Sequence, residues 1–228
     1  MTAALRGTPI RSGTAALLVC AAALLGSAGN AHAEPAGDGL SGDPSGAAPY
    51  WGKQQYDDCA LMAVADVVGE LTGNKPTEDK ILGFATSTPS SQHAGPIYSL
   101  PPDLGNPDSG DGTYARDLPI LLGHFGVYSI YTNDYVAAEG GPPTGIAALE
   151  NDLAAGNKVI VSLNGETIWD KPGDRTIHDH ALVVTGLDAA NSIVHLNDSA
   201  AAGPDSQVSI DTFEAAWKTS DHGMVIAG

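Results

Sequence analysis

Three residues that lie far apart in the sequence are of the types that carry out cysteine-dependent acyl transfer: Cys59, His180 and Asp198. A thiol nucleophile needs a base that holds the thiolate and a third group that orients this base. It also needs hydrogen-bond donors for the oxyanion that develops on the substrate. We expect the backbone N–H of Cys59 and the side-chain amide of Gln54 or Gln55 to supply these donors, with a slight preference for Gln54.

The nucleophile candidate stands at the start of a predicted helix. Apolar residues recur with helical spacing from Cys59 to Leu71, with Asp57 or Asp58 as the N-cap and Gly73 just beyond the end. The free N–H groups and the macrodipole of a helix N-terminus stabilise a thiolate. The position of Cys59 therefore favours a reactive thiol.

Two predicted strands bring the histidine and the aspartate together. One strand begins at His180, and the strand that follows it after a short turn ends next to Asp198. If these strands are antiparallel neighbours, the start of the first lies close to the end of the second. We expect the His180 Nδ1–H to donate to Asp198 while the other ring nitrogen faces the thiol.

The first 33 residues have the organisation of a secretory signal peptide. Arg6 and Arg11 precede an apolar run over residues 14–25, and Ala31-His32-Ala33 is a cleavage signature of the A-x-A type. The run is short for a membrane span, so we expect cleavage before Glu34 and a secreted product. The other cysteine of the chain, Cys20, would leave with this segment, and Cys59 would have no disulfide partner.

Length and charge limit the classes of function. Cleavage after residue 33 removes two arginines and no acidic residue, leaving 195 residues and changing the net charge from −17 to −19. Such a chain repels nucleic acid and anionic membrane surfaces, so neither is an expected partner, and no stable membrane insertion is expected after cleavage. Residues 34–49, rich in Gly, Pro, Ser and Ala, indicate a flexible leader, and residues 50–228 are long enough for one domain.

The order of the predicted elements indicates the fold class. The first half contains mainly helical patterns, and the second half contains β-branched runs at hairpin spacing. The predicted helices cover residues 59–71, a short stretch after Pro76, 118–125, 146–155 and 211–217. The predicted strands cover residues 127–131, 158–163, 180–186, 192–197, 208–210 and 224–226. This order predicts an α+β fold in which an N-terminal helical lobe packs on an antiparallel sheet.

The combination of these motifs resembles a known family. A glutamine shortly before a cysteine at a helix start, the strand His-Ala-Leu-Val-Val-Thr-Gly from His180, and the segment His-Leu-Asn-Asp ending at Asp198 are similar to the papain-like bacteriocin-leader (double-glycine) peptidases and their exported bacterial relatives. The segments GNKVIVSLNG and FEAAW extend the resemblance over nearly the whole mature chain. It implies a papain-like fold with Cys59 as nucleophile, His180 as base and Asp198 as orienter.

The resulting hypothesis is an exported papain-like cysteine peptidase that cleaves a peptide or another amide and requires neither a cofactor nor a metal. Ala60-Leu61 stands where family members often have Gly-Pro, and Lys53 stands where the family glutamine generally lies. These differences leave open a catalytically inactive papain-like binding protein of the cell envelope. A third alternative is a metal-dependent hydrolase, with His178 and His180 on one face of a strand and Asp198 or His195 completing the ligand set.

Overall fold

In the computed structural model, residues 39–103, 106 and 110–228 are described, and within them seven β-strands form one sheet. The strands are β1 (Leu40–Gly42), β2 (Ser129–Thr132), β3 (Lys158–Leu163), β4 (His180–Asp188), β5 (Ile193–Asn197), β6 (Ser206–Ser209) and β7 (Met224–Ala227). All paired strands are antiparallel, in the order β2-β7-β3-β4-β5-β6, and β1 pairs with the far end of β4.

Helices cover both faces of this sheet. Within the described residues they are α1 (Pro44–Ala47), α2 (Cys59–Thr72), α3 (Glu78–Ser87), α4 (Leu118–His124), α5 (Asp134–Ala138), α6 (Ile146–Ala154), α7 (Gly165–Ile168) and α8 (Ile210–Trp217). Alternate residues of a strand point to opposite faces. Ile160 and Val183 accordingly pack with α2, α3 and α4, whereas Val161 and Leu182 pack with α6, α7 and α8. The predicted α+β class, with N-terminal helices on an antiparallel sheet, is confirmed.

The helix that carries Cys59 begins and ends where its sequence predicts. Gly73 follows the last turn of α2 with φ +74°, the left-handed conformation that glycine adopts without strain. Asp58 occupies the N-cap position, but its side chain makes no capping hydrogen bond. Its carboxyl group is instead buried beside the helix, which distinguishes Asp58 from an ordinary solvent-exposed cap.

Residues 39–49 of the segment predicted as a flexible leader contain β1 and α1. Leu40 pairs with Asp188 in the sheet, and the side chain of Asp43 accepts a hydrogen bond from the amide of Gly46 at the start of α1. Gly42 has φ +96°, and a Cβ there would lie 2.4 Å from the carbonyl oxygen of Thr185. The small residues that indicate flexibility in the sequence thus permit close packing of this strand against β4.

The signal peptide predicted for residues 1–33 and the first residues of the predicted leader lie outside the described residues. None of the helices in the described part of the chain has the length together with the apolar composition that a bilayer span requires.

Candidate active site

Three separate elements supply the candidate catalytic side chains. Cys59 is the first residue of α2, His180 is the first residue of β4, and Asp198 follows the last residue of β5. Strands β4 and β5 pair with Val183 opposite Asn197, so the start of one strand lies beside the end of the other. The hairpin geometry expected from the sequence is therefore present.

A buried hydrogen bond joins the histidine to the aspartate. Nε2 of His180 lies 2.8 Å from Oδ1 of Asp198, and the two side chains are 5% and 2% exposed. The expectation that Nδ1 donates to the carboxylate is wrong. The imidazole reaches the turn after β5 with its distal nitrogen, which leaves the proximal nitrogen, Nδ1, available to the thiol.

The electrostatics of His180 depend on Cys59. Burial of the ring disfavours its charged form, but the charge on Cys59 and hydrogen bonds with Asp198 and Cys59 outweigh burial and raise the pKa of His180 to about 10. The imidazolium form is therefore favoured at neutral pH when the thiol is ionised. Cys59 itself is buried and makes no disulfide.

Hydrogen bonds keep Asp198 ionised despite its burial. Burial raises the pKa of this carboxyl group, but donation from His180, from Nε1 of Trp169 and from the amide of Ala200 lowers it below its ordinary value. The Trp169 bond, 2.8 Å to Oδ2, and the Ala200 bond, 2.8 Å to Oδ1, engage both carboxylate oxygens. Asp198 is thus a fixed negative charge beside the imidazole.

Trp169 contacts both His180 and Asp198, a role that no motif in the sequence assigns to it. Its ring lies against that of His180, with centroids 4.6 Å apart and planes at 57°, while its N–H donates to Asp198. The sequence places Trp169 between β3 and β4, where a tryptophan can line a groove, although core or rim packing is the more frequent use of this residue. Only the folded loop shows that the indole covers the hydrogen bond between His180 and Asp198.

The two candidate oxyanion glutamines point in different directions. The side-chain oxygen of Gln54 accepts from the hydroxyl of Ser199 at 2.7 Å, and its amide nitrogen donates to Tyr56 O at 2.9 Å. Gln54 therefore lies next to the turn that carries Asp198, with one side-chain N–H left to donate. Gln55 instead binds the carboxylate of Glu78 through both its side chain and its backbone amide.

Buried acidic and phenolic groups lie near Cys59. Burial and the charge of Glu78 raise the pKa of Asp58 to about 8. The hydroxyl of Tyr98 is buried without a hydrogen-bond partner, and burial together with the charges of Asp58, Asp57 and Cys59 raises its pKa. A neutral Asp58 at moderate pH places less negative charge beside Cys59 than its sequence position indicates.

The geometry does not support the metal-dependent alternative. Among the described residues, no group of three or more His, Cys, Asp or Glu side chains is arranged to hold a metal ion. Nδ1 of His178 lies 3.2 Å from the carbonyl oxygen of Thr219, and His195 pairs with Asp205. His178 and His195 are therefore engaged away from the bond between His180 and Asp198.

Comparison with known proteins assigns the family. The sequence profile described as the Peptidase_C39 like family matches residues 50–224, which is most of the chain. The chain belongs to the C39-like peptidase family. The suspected resemblance to the double-glycine peptidases and the papain-like fold are thereby confirmed.

Relatives of this C39-like chain include uncharacterized proteins. One from Mycobacterium bovis and two from Mycobacterium tuberculosis are each 46% identical over 233 residues, covering 99% of both sequences. A crystallised Bacillus anthracis protein assigned as a C39-like peptidase is 16% identical, with a TM-score of 0.57 over 83% of this chain and 97% of that one. A double glycine motif protease from an AMS/PCAT transporter, in complex with the leader peptide, is 11% identical, with a TM-score of 0.45 over 77% of this chain and 87% of that one.

Proposed function

We propose that this chain is an exported cysteine peptidase that cleaves amide bonds through a thioester intermediate. The observation that carries the proposal is the buried hydrogen bond between His180 and Asp198, together with the electrostatic interaction of the same imidazole with Cys59. Such an arrangement holds a thiolate and an imidazolium side by side. Membership of a peptidase family supports a peptide as the substrate.

The proposed reaction has two acyl-transfer steps. The Cys59 thiolate attacks the carbonyl carbon, and the oxyanion accepts hydrogen bonds from the Cys59 backbone N–H and the Gln54 side-chain amide. Nδ1–H of His180 then protonates the leaving amine as the C–N bond breaks, which leaves a thioester. Water gives a proton to His180 and attacks the thioester, and release of the carboxylic acid regenerates the thiolate. Asp198 keeps Nδ1 directed at the thiol throughout by binding Nε2.

Thiol alkylation tests the site without a known substrate. We expect iodoacetamide to label Cys59 of the mature chain faster than a model thiol near neutral pH, and His180→Ala to slow labelling by an order of magnitude or more. Gln54→Ala should leave labelling intact but reduce peptide cleavage, and Gln55→Ala is its matched control. Labelling of wild type at the rate of a model thiol would contradict the proposal.

A peptide and amide substrate panel separates catalysis from binding. Turnover that disappears in Cys59→Ala supports the peptidase. Absence of turnover, combined with peptide binding that is equal in wild type and Cys59→Ala, would instead support the inactive binding protein.

We also propose that residues 1–33 direct export of the chain. The arginines, the apolar run and the Ala31-His32-Ala33 signature support this localisation. N-terminal sequencing of the protein recovered outside the expressing cells should begin at Glu34, and substitution of Ala31 and Ala33 by bulky residues should block this processing. A chain that keeps residue 1 and stays inside the cell would contradict the proposal.

A further inference from the structure

The helix that begins at Cys59 buries an acidic residue, Asp66, among apolar neighbours. Asp66 lies seven residues after Cys59, two turns and about 10 Å along α2, so both side chains share one helix face. Asp66 is 3% exposed, and its Oδ1 has no hydrogen-bond partner. Burial of a carboxyl group with few partners is unfavourable, whereas an apolar residue would pack there without this penalty.

The other oxygen of Asp66 binds the residue before Asp198. Nδ2 of Asn197 donates to Oδ2 of Asp66 at 3.0 Å, and the same nitrogen donates to Ala47 O at 3.1 Å. Oδ1 of Asn197 accepts from the amide of Asp205 at 3.3 Å. The buried Asn197 side chain therefore ties the end of β5 to α2, to α1 and to the segment before β6.

This connection spans the two halves of the proposed site. Asp66 belongs to the helix that begins at Cys59, and Asn197 is covalently joined to Asp198, which binds His180. We propose that Asp66 and Asn197 are positioning residues, whose hydrogen bond sets the distance between the thiol on α2 and the imidazole–carboxylate pair on the sheet. This inference rests on the proposed peptidase function for its catalytic consequence.

The surroundings of Asp66 indicate which substitution keeps its hydrogen bond with Asn197. Burial and the charge of Glu70 raise the pKa of Asp66 to about 7, while Asn197, Lys75 and Lys158 favour its ionised form. Lys158 is itself bonded to Glu70 at 2.9 Å. Neutral and ionised forms of Asp66 both offer an acceptor to Asn197, and Asp66→Asn keeps this acceptor without the charge.

The experiment combines two readouts on the mature chain. The first is the rate of Cys59 alkylation by iodoacetamide as a function of pH. The second is the titration of His180 followed by NMR, which reports its bond to Asp198 whether or not the enzyme turns over. The variants are Asp66→Ala, Asn197→Ala, the double variant and Asp66→Asn. Thr132→Val is the control, because it removes a buried 2.6 Å hydrogen bond to Pro142 O at the far edge of the sheet.

Asp66→Ala and Asn197→Ala should each slow alkylation at least about 10-fold, since a displacement of about 1 Å can reduce a rate about 100-fold. Both should also lower the pKa of His180. The double variant should be no slower than the slower single variant, because the two changes break one bond. Asp66→Asn should alkylate near the wild-type rate, and Thr132→Val should lower thermal stability without changing either readout.

The outcomes distinguish failure of the positioning role from failure of the proposed peptidase function. If folded Asp66→Ala and Asn197→Ala keep the wild-type alkylation rate and the wild-type His180 titration, the positioning role is overturned. Equal slowing of alkylation by Thr132→Val would also overturn it, and so would additive effects in the double variant. If Asp66→Ala does not fold, Asn197→Ala carries the same test with the carboxylate retained. A slow wild-type thiol contradicts the peptidase proposal alone, because the His180 titration still tests the positioning pair.

Discussion

Two tryptophans donate to different atoms of Asp198 and permit a matched perturbation of the site. Nε1 of Trp169 binds the carboxylate oxygen Oδ2 at 2.8 Å, and Nε1 of Trp51 binds the main-chain oxygen of the same residue at 2.7 Å. Both indoles are half-buried. Replacement of either by phenylalanine keeps an aromatic ring and removes one N–H. The two variants therefore differ mainly in whether the lost bond involved a charge.

The magnitude of each effect follows from the type of bond. A hydrogen bond to a charged group contributes about 1.5–3 kcal/mol, and a neutral one contributes about 0.5–1.5 kcal/mol. At roughly 2–4 °C per kcal/mol for a domain of this size, Trp169→Phe should lower Tm by about 3–12 °C and Trp51→Phe by about 1–6 °C. Loss of the Trp169 donor should also raise the lowered pKa of Asp198, because it removes one of the hydrogen bonds that favour the carboxylate.

Urea unfolding between pH 7 and pH 3 separates the two bonds. A carboxyl group with a lowered pKa stabilises the fold above its unfolded pKa, and this contribution disappears as pH falls through the folded pKa. The free-energy deficit of Trp169→Phe should therefore be largest at pH 7 and shrink below about pH 4, whereas that of Trp51→Phe should stay constant. Equal deficits with the same pH dependence would refute the assignment of Trp169 to the carboxylate.

Two further predictions concern groups beside the thiol. Cys59→Ala should lower the pKa of His180 from about 10, because the Cys59 charge is the largest effect that raises it; an unchanged NMR titration would contradict this. Burial and Glu78 raise the pKa of Asp58 to about 8, so the folded chain keeps a proton that the unfolded chain releases near pH 4. Stability should fall as pH rises through this range, and Asp58→Asn should gain in Tm relative to wild type between pH 5 and pH 8. A Tm difference between Asp58→Asn and wild type that does not change with pH would exclude this effect.

The helices and strands could be predicted from the sequence wherever the local sequence pattern agrees with the burial of the residues. Helix α2 combines a continuous apolar face with Gly73 at its end, and β3 is a β-branched run, so both appear at their predicted places. Strand β1 was missed because three residues carry too little pattern and their partner lies near the end of β4. Short helices such as α5 and α7 are fixed by side-chain caps, Asn133 and Asn164, rather than by apolar periodicity.

The candidate site was predictable in its residue types but not in its contacts. The hairpin spacing placed His180 beside Asp198, yet the ring nitrogen that binds the carboxylate depends on side-chain rotamers that no spacing reports. Trp169 lies in a loop, and Asp66 lies in the middle of helix α2. Their roles arise from tertiary contacts with Asp198 and Asn197, and neither residue stands in a recognisable motif.

Among the described residues, β7 is the last strand in chain order, yet it lies inside the sheet between β2 and β3. Ribosomal synthesis therefore delivers an interior strand after the other strands have been made. A nascent or truncated chain without Met224–Ala227 would expose two unsatisfied strand edges, which readily pair with other molecules. The placement of β7 thus leaves chains that lack this strand prone to aggregation.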